Sequence, residues 1–415
     1  MTTDSTEPSF AALAAKYRPI FERIGEGSLQ RELDRTLPFE QVQWLKDAGF
    51  TGVRVPREFG GDGATLPQLF ELLMELAAAD PHVPQAFRGH IAFVEDQLCR
   101  PAGTTRDEWL TRFAAGDMVG NAVTEIGNVA LGDTRTRLAG DGDTLTISGS
   151  KFYTTGSIFA EWIDATALDS RGVEVAVLVS TRSDGVVVSD DWNGFGQRLT
   201  GSGNAVFSGA PVRADHVYVF SDRFPYQTAL YQLVLVAVLA GITRASANEA
   251  VHQVANRART FSHGNAAQTR HDPQVLENVG RIAANAAAVE AITVRAAGSL
   301  QAAFEARGAD ASVVSDCKRD AELRCTEAQV IATRLALESA TALFEGLGAS
   351  AVIETQALDR YWRNARTVSS HNPVAFKARI IGDWLVNGTE PPYEWAIGIG
   401  RPSAAQGGVT PDVRS

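Results

Sequence analysis

One stretch near the C-terminal end, RYWRNARTVSSHNPVAFK (360–377), gathers three arginines and a lone histidine in a chain otherwise rich in Ala, Leu, Val and Gly. Guanidinium groups match phosphates and carboxylates, and an imidazole handles protons near neutral pH. Asn is favoured as a helix N-cap and Pro at the first helical position, so Asn372-Pro373 predicts a helix running through VAFKARIIGDWLV. That explains Asn372 and Pro373 and leaves His371 for chemistry. Just before a helix start it would meet the positive end of the dipole, which lowers its pKa and favours the neutral ring. No Asp or Glu lies between Asn364 and Lys377, so a carboxylate base is missing from this segment.

Two further sets of side chains have the right chemistry. SGSKFYTTG (148–156) places the hydroxyls of Thr154 and Thr155 side by side, and FRGHIAFVE (87–95) carries His90 on a predicted helix. Other motifs fail on context. GLGASA (346–351) fits GxGxxA but follows a long helix, where a dinucleotide fingerprint needs a strand. The seven histidines form no i, i+4 pair on a credible helix, which predicts no metal site.

The elements that must position these groups change texture along the chain. Residues 1–119 read as an α-helical domain, with PFEQVQWLKDAGF closing at Gly49, a residue suited to a left-handed cap. Residues 120–225 read as a β domain: TLTIS, VAVLVS and GVVVS alternate with Gly- and Asp-rich turns. Residues 226–400 return to Ala-rich helices, predicted at 229–261, 274–307, 311–346, 352–368 and 373–387 and packed as a bundle, and 401–415 reads as a disordered tail. A formal charge of −11 argues against nucleic acid or an anionic membrane as partner. The three cysteines lack CxxC spacing, and the polar, acidic start lacks a signal pattern, so a reducing cytoplasm is expected. The longest apolar run, LVLVAVLAGI (233–242), is too short to span a bilayer and predicts a buried helix.

Five passages in order resemble the acyl-CoA dehydrogenase superfamily over nearly the whole chain: TGVRVPREFGG (51–61), VTEIGN (123–128), SGSKFYTTG, the pair Arg259 and Phe261, and RNAR (363–366). DDWNGFGQRLTGSGN (190–204), YWRNARTVSSHNPVAFKARIIGDWLVNG (361–388) and KFYTTG are similar to the dibenzothiophene monooxygenase group of that superfamily. The resemblance implies a mainly α fold with a central β domain: N-terminal helices, a β-barrel-like middle domain and a C-terminal four-helix bundle. It also implies a homotetramer and a two-component enzyme taking FMNH2, or FADH2, from a separate NAD(P)H flavin reductase, with FMN ahead of FAD and O2 as cosubstrate.

The resemblance assigns roles residue by residue. A dehydrogenase needs a carboxylate base beside the flavin, and the two positions where the superfamily keeps it are Asn372 and Tyr231 here. Oxygenation through a C4a-hydroperoxyflavin needs a water-poor pocket with protecting hydrogen bonds instead. Thr154 or Thr155 would bond the flavin N5 and the oxygen adduct, with Asn121, Thr124 and Tyr153 beside them and Trp192 over the flavin or substrate face. Arg259 with Phe261 would hold the cofactor phosphate, and the turn of Gly346, Gly348 and Ala349 would let a neighbouring subunit's cofactor approach; Asn372 joins this set. His371 and His90 would face the substrate. The expected function is monooxygenation of a small apolar or aromatic molecule at sulfur or nitrogen. An acyl-CoA dehydrogenase and a non-catalytic flavin-binding scaffold are the alternatives.

Overall fold

A computed structural model describes residues 8–126 and 134–394. Gly127 and Asn128 of the VTEIGN passage and the tail from Arg401 lie outside the described residues.

The N-terminal part is helical: α1 (Phe10–Glu26), α2 (Ser28–Asp34), α3 (Phe39–Asp47), α4 (Leu66–Ala79), α5 (His82–Ala86), α6 (Arg88–Cys99) and α7 (Thr104–Ala114). Local signals set their ends. Thr65 caps α4 in a reciprocal capping box with Gln68, and Gly49 takes a left-handed φ of 80° after α3. Leu69, Phe70, Leu72, Leu73 and Leu76 of α4 are fully buried, which makes it the central helix of this part.

The strands are β1 (Val119–Ala122), β2 (Arg137–Ala139), β3 (Thr146–Lys151), β4 (Trp162–Leu168), β5 (Glu174–Ser180), β6 (Val186–Val188), β7 (Ala205–Pro211) and β8 (Val217–Val219). They form one mixed sheet in the order β6-β7-β3-β2-β4-β5-β8, with β1 parallel to β4. The run VAVLV is apolar throughout because both faces of β5 are covered. Val175, Val177 and Val179 enter the sheet's own core, whereas Leu178 packs with Trp109 and Phe113 of α7.

The C-terminal helices are α8 (Gln227–Asn256), α9 (Pro273–Glu305), α10 (Ala311–Glu345), α11 (Asp359–Ser370) and α12 (Lys377–Asn387). The first is apolar on every side from Ala229 to Thr243 because α4, α9 and α10 surround it. It is long and apolar enough to cross a membrane, yet most of that stretch is buried among these helices.

Three expected helix boundaries move. The first bundle helix stops at Asn256, so Arg259 and Phe261 stand on the following loop. Short 3-10 turns occupy Gly348–Val352 and Glu354–Gln356, and Ala357 takes a left-handed φ of 42°, delaying α11 to Asp359. After α11 the chain makes a 3-10 turn at Val374–Phe376, and α12 begins only at Lys377 with Phe376 before it. Asn372 therefore caps no α-helix.

Candidate active site

All three parts of the fold meet around one chain of contacts. Trp192 meets Tyr153 edge-on, ring centroids 6.0 Å apart. Next to Tyr153, Thr155 bonds Ser202, and Ser157 Oγ donates to the carbonyl of Asn121 on β1. The side chain of Asn121 lies against Gly89, where a Cβ would come within 3.1 Å of Oδ1. The neighbouring Arg88 lies over the ring of Tyr231 on α8, 5.0 Å from its centroid. One residue on, Gln232 accepts from the amide of Asn372, 2.7 Å, beside His371.

His371 closes α11, its N–H donating to Val368 O. Solvent reaches the side chain, although protein atoms pack closely around it. That crowding, followed by the positive charge of Arg88, pushes its pKa down to about 3. The direction of this shift favours the neutral ring, the state expected from the sequence, with a different cause. His371 stands at the negative end of α11, so no helix dipole lowers its pKa. Nor do the arginines of α11: Arg363 clasps Glu32 and Asp359, Arg360 bonds Tyr361, and Arg366 bonds Ser370. The charge comes from another helix.

The hydroxyls of the TTG turn divide their roles. Both the amide and the hydroxyl of Thr154 donate to Gly203 O, at 3.0 and 2.9 Å, so this residue locks the loop and has no donor to offer a ligand. Thr155 lies at the end of a chain. Thr200 donates to Gln197 O, 2.9 Å, which uses its single proton; Ser202 must then donate to Thr200 and Thr155 to Ser202, each at 2.7 Å. The 3.5 Å approach of Thr155 to Tyr153 O is too long to compete. Thr155 consequently offers acceptor lone pairs, which suits the N5–H of a reduced flavin.

Asn121 Oδ1 is buried without a partner, a second polar atom available to a heteroaromatic ligand. Tyr153 holds a left-handed φ of 56° and is half exposed, a strain of about 1 kcal/mol or more that its place beside Trp192 accounts for. The Trp192 indole folds over Gly194 and donates to Gly196 O, 3.1 Å, so it is held as a fixed wall. Thr124 bridges to Phe152 across the same turn. These groups fit a flat flavin ring: an acceptor at Thr155, an orphaned amide oxygen at Asn121 and an aromatic wall.

Other expected site residues stand elsewhere. His90 is a core residue: Val119 N–H donates to Nδ1, Nε2–H donates to Thr51 O, and Phe87 and Phe113 pack on the ring. Burial pushes its pKa down to about 4 with no nitrogen left for a substrate. Asn372 is spent on structure, its amide on Gln232 and its carbonyl on Gln329. Arg259, Phe261, Gly346, Gly348 and Ala349 gather at the far end of the bundle, where Phe261 fills the space a Cβ on Gly348 would need. From Gln232 to Asn256, α8 covers about 36 Å at 1.5 Å per residue, so one flavin mononucleotide cannot reach both groups in one chain.

Arg88, Ser202 and Gln232 were not singled out from sequence. The signal for Arg88 was one charge inside the apolar run VPQAFRGHIAFV.

Residues 15–117 match the acyl-CoA dehydrogenase N-terminal domain and residues 233–376 the acyl-CoA dehydrogenase C-terminal domain. The chain is 28% identical to a probable FMNH2-dependent monooxygenase, SfnC, of Pseudomonas putida, over 94% of this chain and 98% of that one. It is 27% identical to a dibenzothiophene monooxygenase of Mycolicibacterium goodii, covering 84% and 87% respectively. The crystal structure of FMN-bound TdsC from Paenibacillus sp. A11-2 superposes with a TM-score of 0.83 at 26% identity, covering 92% of this chain and 99% of that one. With the two domain matches spanning more than half of its length, this chain belongs to the acyl-CoA dehydrogenase superfamily.

Proposed function

We propose that the protein is a reduced-flavin-dependent monooxygenase that transfers one atom of O2 to a small molecule, at sulfur or nitrogen. One observation carries the choice within the superfamily: the place a dehydrogenase needs a carboxylate base is occupied by Tyr231, Asn372 and the neutral His371. The acids behind Tyr231 are not free to act. Asp96 is held by Arg100 at 2.9 Å and Asp164 by Arg223 at 2.5 Å, both buried.

Reduced FMN, when bound, supplies two electrons and activates O2. Thr155 would accept a hydrogen bond from the reduced ring, with Ser202 and Thr200 fixing its direction, and Asn121 would offer its free carbonyl oxygen. Tyr153 and Trp192 close one side and exclude water. His371 stays neutral through the physiological range and orients the substrate or oxygen by hydrogen bonding; with its pKa near 3 it is too weak a base to store a proton.

The electrons come from a separate reductase in the cytoplasm, and the active form is a homotetramer in which Arg259, Phe261 and the Gly348 turn of one copy serve the cofactor phosphate of another. The length of α8 supports this, since about 36 Å of helix separates Gln232 from the end that carries these groups within one chain. Supplying the purified protein with a flavin reductase, NADH and FMN tests the reading: oxygenated product should appear only with all three. Rapid NADH oxidation by the protein alone would overturn the two-component assignment, and light scattering from an active monomer would overturn the tetramer.

A further inference from the structure

Arg88 is buried, with 8% of its surface exposed, and among the described residues it makes no hydrogen bond or ion pair; Nη1 is fully enclosed without a partner. Its guanidinium lies over the face of Tyr231. The other buried arginines are matched: Arg31 by Asp80, Arg54 by Glu95 and Arg223 by Asp164. An uncompensated guanidinium is unfavourable inside a protein, and burial pulls the Arg88 pKa down to about 10. A cation kept under such strain at the start of α6, beside His371, is placed for an anion that arrives with a ligand.

Resting on the monooxygenase reading, we propose that Arg88 grips an oxoanion on the substrate, and that the substrate is a small organic sulfinate with an apolar R group rather than an uncharged sulfide or heteroaromatic. A planar fork of N–H donors matches two oxygens of one sulfinate, and the Tyr231 ring packs against the fork. A sulfinate joins the two requirements of the site: oxygens for Arg88 and a sulfur lone pair to accept the oxygen atom. A sulfonate has the first and lacks the second. The reaction balances as RSO2− + FMNH2 + O2 → RSO3− + FMN + H2O. The O–O bond breaks and one S–O bond forms; sulfur and flavin each lose two electrons, and oxygen takes up four.

Calorimetric titration of the FMN-loaded protein with ethanesulfonate, an unreactive product-like anion, and with the uncharged ethyl methyl sulfone tests the site without turnover. The sulfonate should bind at least ten-fold tighter. Arg88→Gln should weaken it roughly 10- to 100-fold, the scale of losing hydrogen bonds to a charged group, with Arg88→Lys intermediate. Neither change should shift FMN affinity more than a few-fold, and neither should lower Tm, because the lost cation had no partner. Equal binding of sulfone and sulfonate, or an unchanged preference in Arg88→Gln, overturns the proposal. A loss confined to FMN affinity assigns Arg88 to the cofactor phosphate instead and also overturns it. With reduced FMN and O2, product from neutral sulfides but not from ethanesulfinate sinks the oxoanion assignment alone. No oxygenated product from either sinks the monooxygenase reading, and the substrate assignment with it.

Discussion

His82 and His371 are both crowded by protein, and their surroundings drive them in opposite directions. Burial alone would push His82 down, but Asp80 and Glu32 on its two nitrogens outweigh burial and raise it to about 9. Arg31 completes the cluster on Asp80 and Arg363 completes it on Glu32. At His371 burial and Arg88 act together, and the ring is neutral. The first cluster pairs its charges, with Glu32 and His82 meeting as an ion pair at 3.2 Å without hydrogen-bond geometry, and so ties α2, α5 and α11 together. The second leaves Arg88 and the amide oxygen of Asn121 unmatched. The contrast separates a structural ionic cluster from a site that awaits a ligand better than cavity size does. The enclosed space of about 220 Å3 lined by Glu32, His82, Arg360 and Asn364 lies at the opposite end of α11 from His371, among charges already paired.

The largest effect should come from opening the closed cluster. Asp80→Ala strands Arg31 and His82 in the interior and should cost about 3–5 kcal/mol, the range for breaking a buried pair, measured by urea unfolding. A change under 1 kcal/mol would erase the distinction between the two regions.

At the open site the loss should fall on chemistry. His371→Ala should lower product formation by roughly 10², the scale of losing a positioned hydrogen bond, with reduced-FMN affinity within a few-fold and the electrons leaving as hydrogen peroxide. A mutant that melts earlier but keeps its ratio of product to peroxide would make His371 a packing residue.

The two histidines also predict opposite pH behaviour. Because the folded-state pKa of His82 is raised, from 6.5 to about 9, its contribution to stability is complete below pH 6.5 and is lost as pH climbs toward 9. Tm should decline over that window, and the decline should flatten in His82→Gln. His371 has already lost its proton far below neutrality, so kcat/KM should show no acid limb near pH 6.5 from this residue. A limb there that vanishes in His371→Ala would contradict the neutral ring.

The smallest expected effect concerns the hydroxyl chain. Ser202→Ala frees Thr155 to turn its proton toward the flavin, and should weaken reduced-FMN binding by about 1 kcal/mol while leaving oxidised FMN less affected. Equal losses for both redox forms would show that the chain only shapes the loop.

The sequence made the layout readable because helical and strand periodicities differ, and each part keeps one of them for about a hundred residues or more. His371 stood out as a residue its local structure did not need, whereas Thr155 and Asn121 entered only through the family resemblance of the passages that carry them. Arg88 does not stand out at all, because only the packing of α6 against α8 reveals that, among the described residues, no carboxylate pairs with it. The end of α8 was hidden for a local reason: QVANRARTFSH contains neither Gly nor Pro at Asn256, so nothing marks the stop. At Asn372-Pro373 good capping residues misled, since the chain makes a 3-10 turn at Val374–Phe376 and α12 starts only at Lys377.

The most direct test is a single turnover of the protein loaded with reduced FMN, mixed with 18O2 and ethanesulfinate and quenched for mass spectrometry. The account predicts one 18O atom in the sulfonate and the other in water, with product close to stoichiometric with flavin oxidised. Reoxidation that yields only hydrogen peroxide from sulfinates and neutral sulfur compounds alike, or anaerobic bleaching of oxidised flavin by an acyl thioester, would contradict it.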